Sequence, residues 1–349
     1  MRELTRTRRL VRRFEPGSRS LILLYHRIDR PITDPWRLAV SPERFGQQLA
    51  VLRQRFRPLP LADLVAGLRA GRPPARGVAV TFDDGYADNL LRGVPLLHQY
   101  TIPATIYITA DYLGAPHEFW WKQIEQLLLE PGELPRRLEI DHPLLNWSWD
   151  LGPEAVYPAE HALALRDWII SGQAGAAPTR RHAAFLSLLH AMEPIDSGPR
   201  EEILADLFAA AGVSRASRTS HRMLTVEQAQ GLQASDGIQV GAHTLSHPRL
   251  SMISPTQQEI EIRHAKTRLQ DLLDAANVET FAYPFGQPAD FDATTVRLVH
   301  AAGYSSAVAV RDLAVSRSSA LFELPRVGVA DWDGDEFERR LEWWLRRGL

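Results

Sequence analysis

Val78-Ala79-Val80-Thr81-Phe82-Asp83-Asp84-Gly85 decides how this chain of 349 residues folds. A short apolar run stops abruptly at two adjacent carboxylates and a glycine. A run of that length reads as a fully buried strand. Two neighbouring Asp side chains at its end repel each other, so an ordinary fold gains nothing by putting them there. They make sense if Asp84 or Asp83 binds a cation while the other handles a proton. The plainer alternative is a strand-ending turn with a solvated Asp and a helix N-cap.

A second cluster, Val240-Gly241-Ala242-His243-Thr244-Leu245-Ser246-His247-Pro248, also follows a strand-like run. The i, i+4 spacing of its two histidines predicts one face of a helical turn, with both imidazoles in reach of one ion. Loop histidines bonded to backbone are the alternative for this pair alone. One carboxylate plus two imidazoles suits a hydrolytic site for a divalent metal. Two such half-sites, each at the end of a buried strand, favour the functional reading.

With these two clusters the chain resembles the polysaccharide deacetylase family, the NodB-homology domain of carbohydrate esterase family 4. Its motif layout is that of the poly-N-acetylglucosamine-deacetylase-like members. The likeness runs over residues 21–110 and 225–329. It implies an α/β fold, a distorted (β/α) barrel with its site at the C-terminal ends of the strands. It implies further that Asp83 is the general base and that Asp84, His243 and His247 hold one divalent metal ion. Zn²⁺ is the first expectation, with Co²⁺ or Mn²⁺ as alternatives. A backbone N–H near Tyr86 would help to stabilise an oxyanion.

The departures from the family pattern matter as much. Its Arg-x-Pro-aromatic motif appears here as Ala282-Tyr283-Pro284-Phe285-Gly286, with Ala282 in the place of Arg. Arg326, in Leu324-Pro325-Arg326-Val327 at another predicted strand end, either supplies the missing guanidinium or is structural. The family's late Leu-x-His motif, which carries a general-acid His, has no match near the C-terminus. Leu21-Ile22-Leu23-Leu24-Tyr25-His26 reads instead as a first barrel strand ending in His26, effectively that motif permuted. Imidazole suits the acid role because its ordinary pKa of ~6.5 lets it carry a proton near neutrality. Tyr86, Tyr283, Pro284, Phe285 and Trp332 are the expected substrate contacts, with Trp332 beside the acetyl group.

Composition sets outer limits. The formal net charge is −2 and the sequence contains no cysteine. The first argues against a nucleic-acid partner; the second excludes disulfides and thiolate metal sites. No apolar stretch approaches the ~20 residues that cross a bilayer, and the basic start, residues 1–13, leads into only a short apolar strand. A cytoplasmic protein is expected. Arg2, Arg6, Arg8, Arg9, Arg12 and Arg13 offer either a weak contact with an anionic membrane surface or a solvated terminus.

Along the chain, helical patterns at 61–69, 86–99, 254–276 and 290–302 alternate with strand-like runs at 102–109, 280–283 and 305–310. Ser41 is the expected N-cap of a further helix, with Pro42 at its first position. Such alternation predicts parallel β/α units. Three regions are expected: a basic segment 1–20, a barrel from 21–113 and 224–349, and a largely helical insertion at 114–223 near the site's rim. The Trp120-Trp121 pair opening the insertion reads as subdomain core more readily than as a sugar platform. The leading functional expectation is a metal-dependent deacetylase acting on an acetylated carbohydrate, N-acetyl before O-acetyl. An amidase for a non-sugar amide or cyclic ureide, and a carbohydrate-binding protein without catalysis, are the alternatives.

Overall fold

The predicted strand at 78–82 exists, as Gly77–Phe82, and every residue in it is buried. The computed structural model describes residues 19–170, 177–274 and 277–347, so the arginines of the basic start, with their expected membrane contact, lie outside the described residues. Seven parallel strands close a barrel. They are β1 (Leu21–Tyr25), β2 (Gly77–Phe82), β3 (Ala104–Ile108), then, beyond an insertion carrying β4 and β5, β6 (Ile238–Ala242), β7 (Thr280–Ala282), β8 (Ser306–Val310) and β9 (Leu324–Gly328). Sequential strands are neighbours, and β1 closes the ring by pairing with β2 on one side and β9 on the other. Leu21 stands opposite Val78 and Tyr25 opposite Phe82.

Strand alternation sorts the apolar residues into two layers. Leu21, Leu23, Val78, Val80 and Phe82 join the layer packed against the outer helices. Ile22, Ala79, Tyr107, Ala282, Val308 and Leu324 meet in a separate cluster. With both faces buried, the strands read as continuous apolar runs rather than alternating ones. Each fully buried aliphatic side chain contributes about 1.5–3 kcal/mol. The same alternation places Thr81 and Asp83 after Ala79, and Arg326 after Leu324, on that inner side.

The outer helices follow their local signals, with two exceptions. Pro255–Leu273 begins with a capping box of Ser254 and Gln257, and Ala293–Ala301 is capped by Asp292. The pattern at 86–99 breaks into a π-helical turn, Asn89–Gly93, and a helix, Val94–Tyr100. Ser41 precedes Pro42 as expected but makes no cap bond. Its hydroxyl donates instead to Asp331 Oδ1 at 2.7 Å, tying the helix start to the loop after β9.

The chain between β3 and β6 builds a second apolar core of its own. It gathers Ile124 and Leu128 from α1 (Trp120–Leu129), Phe185 and Leu188 from α2 (Arg180–Met192), and Leu204 and Leu207 from α3 (Ser197–Ala211). It is not only helical: β4 (Arg137–His142) and β5 (Leu145–Asp150) form an antiparallel hairpin. Asn146-Trp147-Ser148-Trp149 lies in β5, where Trp147 faces the core and packs on Trp149 with ring centroids 6.1 Å apart.

Candidate active site

β2 ends where its inner face meets the barrel mouth, and this fixes Asp83. Its N–H donates to the Tyr25 carbonyl at 3.0 Å, continuing the ladder to β1. Its carboxylate takes two bonds from Arg326, Nη1 to Oδ1 at 2.6 Å and Nη2 to Oδ2 at 2.7 Å. Both residues are buried, and Arg326 Nη1 also reaches Thr81 Oγ1 at 3.3 Å. A planar guanidinium suits this bidentate contact as no lysine would. The strand stops at the next residue, because Asp84 turns into the left-handed region (φ 77°) and Gly85 follows it (φ 87°).

That turn swings Asp84 to the other half-site. Its Oδ1 lies 3.6 Å from His243 Nε2 and 3.5 Å from His247 Nε2, and all three residues are buried. His243 and His247 do not share a helical turn, contrary to their spacing. They sit in a loop after β6 in which Thr244 and His247 both have a φ of 63°. Glu261 holds this loop from the helix Pro255–Leu273, accepting from the Leu245 and Ser246 N–H groups, each at 2.9 Å, and from Ser246 Oγ at 2.6 Å. Thr244 Oγ1 accepts the His247 N–H at 3.0 Å. Backbone strain of this kind persists only where surrounding contacts over-determine it, and it gathers at functional sites.

The donor set fits a cation. Zinc-type bonds of ~2.0–2.2 Å in four-coordinate geometry separate ligand atoms by roughly 3.4 Å, close to the two Asp84–His spacings, and all three ligand atoms lie within 4.8 Å of one another. His243 Nδ1 bonds the Ala282 carbonyl at 2.8 Å, which leaves Nε2 as the ligating nitrogen. The electrostatics agree. Burial raises Asp84, and the neighbouring Asp83 charge adds to it, so the carboxyl rests at about 8 without a cation. Asp83 is also opposed by burial, yet Arg326, His243 and His26 outweigh it and hold the carboxyl at about 2. Two adjacent carboxyls are thus driven apart, one ionised and one needing a positive charge to ionise.

His26 follows β1 and lines the same cleft as Asp83 and Asp84. Burial lowers its imidazole to about 4, with the Asp83 charge acting against that fall. Asn89 Nδ2 donates to the His26 carbonyl at 2.8 Å and fixes the residue's backbone. The cleft has a volume of about 850 Å³, lies between the barrel mouth and the insertion, and contains all five of Asp83, Asp84, His26, His243 and His247.

The expected substrate contacts divide. Phe285 lines the cleft, 41% exposed, with its ring 5.0 Å from that of His247. Its motif neighbours support it from below. Tyr283 stacks on Phe291 at 4.0 Å and donates its hydroxyl to the Phe322 carbonyl at 2.8 Å, while Pro284 is buried outside the cleft lining. Gly286 turns at φ 72°, where a Cβ would come within 2.9 Å of the Val310 backbone nitrogen. Tyr86 is wholly buried, against Arg27 and Phe119, and does not line the cleft. Trp332 does not line it either: the chain turns outward after Ala330, and the indole packs beside Trp344 with Arg340 4.3 Å above it.

Two tryptophans of the insertion, Trp120 and Trp121, reach the cleft instead. Both line the cleft, and Trp121 lies 5.0 Å from His247 and 4.5 Å from Phe119. They are held by a buried ionic network at the base of α1. Lys122 Nζ meets Glu125 Oε2 at 2.7 Å, and Arg218 meets Glu118 Oε2 at 2.7 Å and Glu130 Oε1 at 2.6 Å. Arg27 ties the barrel side, with Nε at 3.0 Å from Asp88 Oδ2. Apart from the i, i+3 pair Lys122–Glu125, these contacts join segments distant along the chain, so no sequence motif signals them.

Comparison with known proteins agrees with this geometry. The family model described as polysaccharide deacetylase matches residues 70–155 and 214–307. Over 75 residues the chain is 33% identical to the Bacillus subtilis protein YxkH, which covers 22% of this chain and 26% of that protein. Over 103 residues it is 26% identical to the poly-beta-1,6-N-acetyl-D-glucosamine N-deacetylase of Escherichia coli K12, covering 29% of this chain and 15% of that enzyme. The chain thus matches 26% or less of the length of these curated relatives. Two solved structures share its fold over nearly their whole length. The Streptococcus pyogenes deacetylase PplD, in complex with acetate, aligns at 17% identity with a TM-score of 0.56, covering 95% of this chain and 99% of that one. IcaB from Ammonifex degensii aligns at 19% identity with a TM-score of 0.53, covering 94% and 98%. From a strand-end Asp pair facing a two-histidine loop in a closed seven-stranded barrel, and from a family match spanning both, the chain belongs to the polysaccharide deacetylase family.

Proposed function

We propose that this protein hydrolyses the N-acetyl group of an amino sugar at the Asp83–Asp84–His243–His247 cluster, with residues 21–113 and 224–349 forming the catalytic barrel and 114–223 its facing wall. The observation that carries the reading is the Arg326-clamped Asp83 placed 3.8 Å from His243, which sits with Asp84 and His247 in a group of donors able to hold a cation. Asp84, His243 and His247 would hold one divalent ion, Zn²⁺ first. Bound there, it supplies Lewis-acid polarisation and eases deprotonation of water.

The protein's own groups do the rest. Asp83, ionised throughout the neutral range, accepts the proton of the attacking water as the O–C bond forms. Arg326 fixes the plane of that carboxylate. His26 lines the same cleft and takes that proton on. From His26 it reaches the departing nitrogen as the C–N bond breaks, leaving acetate and a free amine. Phe285, Trp120 and Trp121 present ring faces that stack on the apolar C–H surfaces of a sugar.

The test compares the protein with Asp83→Ala, measuring acetate release from N-acetylated sugars alongside bound metal. The proposal expects turnover to collapse while Asp84, His243 and His247 retain the ion. Unchanged ligand binding with no acetate release from either protein would identify a carbohydrate-binding protein instead.

A further inference from the structure

The cleft is larger than its catalytic cluster requires, and its far wall has a particular chemistry. α2 buries Ala184, Phe185, Leu188 and Met192 in the insertion's own core. A second stripe, Leu186, Leu189, His190 and Glu193, follows the i, i+3, i+4, i+7 spacing of one helix face and lines the cleft. Leu186 and Leu189 are only half-buried. Ile170 lines the cleft too, and its N–H donates to the Pro35 carbonyl at 2.9 Å, fastening this wall to the barrel side.

This aliphatic surface is continuous with the catalytic cluster. Leu189 packs into the cluster that contains Phe119 and Trp121, and Trp121 touches His247 with ring centroids 5.0 Å apart. Beyond the leucines the stripe turns polar, where Glu193 Oε1 meets Arg249 Nη2 at 3.3 Å across the cleft. Arg249 is in turn bonded to Asp290. Successive sugar units laid along Leu186, Leu189 and Ile170 would press hydroxyls against side chains that offer no hydrogen bond. A hydrocarbon chain there loses no hydrogen bonds and leaves water.

We infer that the substrate is an N-acetylated amino sugar joined to an apolar chain, with the chain lying on the Leu186–Leu189–Ile170 shelf. Its sugar end rests on the deacetylase reading above; its apolar end rests on the shelf alone. The experiment uses the metal-loaded full chain and a series of N-acetylglucosamine glycosides, methyl, butyl and octyl, below their micelle onset, with an N-acetylglucosamine tetrasaccharide beside them. Acetate release gives kcat/KM, and tryptophan fluorescence gives binding separately.

Each buried methylene is worth up to about fourfold in affinity. A chain burying two of its added methylenes therefore raises kcat/KM about tenfold from methyl to octyl, chiefly through KM. In Leu186→Ser and Leu189→Ser the octyl-to-methyl ratio falls several-fold, whichever way the methyl rate itself moves. Acetate release that is independent of chain length, or fastest on the tetrasaccharide, overturns the inference and leaves the deacetylase reading standing. Chain-length-dependent binding with no acetate from any compound upholds the shelf and overturns the deacetylase reading instead.

Discussion

The two walls of the cleft are built by different physics. The barrel wall takes its chemistry from strand ends: Asp83 closes β2, His26 follows β1, His243 follows β6 and Arg326 sits in β9. Parallel pairing fixes these positions before any side chain acts. The insertion wall has no such frame. Its Trp120, Trp121, Leu186 and Leu189 are placed by a separate apolar core and by the buried Glu118–Lys122–Glu125–Arg218 network. Catalysis and recognition can therefore be disturbed separately, and a fault in the insertion should reach the chemistry chiefly through the Phe119 and Trp121 rings beside His247.

The largest expected effect is on the barrel wall. His243→Ala or Asp84→Ala should cut bound metal to below about a tenth and turnover to background, since two ligands hold a divalent ion poorly. Metal analysis of the purified variants checks this. His26→Ala should lower kcat by about 10²–10³ with metal content unchanged; full activity would remove His26 from the proton path. Arg326→Ala should lower kcat less, but it should move the acid limb of the pH–rate profile upward. Without the guanidinium the Asp83 carboxyl rises from about 2, so it is protonated, and activity lost, at a higher pH than in the parent protein. An unmoved profile would make Arg326 purely structural.

Two smaller effects should appear on the insertion wall. Trp121→Ala removes the ring beside His247 and should weaken metal affinity about tenfold, read by competition with a chelator, while leaving the barrel's unfolding transition in place. The insertion should also soften in acid. Burial holds His182 at about 4 in the folded protein, against ~6.5 unfolded. The unfolded chain therefore takes up this proton first, and the stability tied to the neutral imidazole is fully present above about 6.5 and is lost as pH falls towards 4. Thermal unfolding between pH 7.5 and 5 should show that slope, and His182→Gln should flatten it.

The barrel was legible because its signals are local. Unbroken apolar runs such as Leu21-Ile22-Leu23-Leu24 and Val78-Ala79-Val80 mark strands buried on both faces, and carboxylates or histidines directly after them mark the mouth. Arg326 was legible as a candidate for the same reason, by its place on an apolar strand. The loop carrying His243 and His247 was not, since its left-handed turns depend on Glu261 from a later helix. Trp332 misled because proximity to Arg326 along the chain says nothing about the outward turn after Ala330. Trp120 and Trp121 look like core residues by composition; the docking of α1 against the barrel side, where Glu125 accepts from Thr33 and Lys122 lies over the Trp36 ring, turns them to the cleft.

The proposed chemistry requires the two half-sites to act as one metal centre. Its most direct test is to strip the protein of metal and titrate Zn²⁺ back while following acetate release from an N-acetylated amino sugar. No release at zero metal, a linear rise, and a plateau at one ion per chain are expected. Release by the stripped protein at the full rate would contradict it.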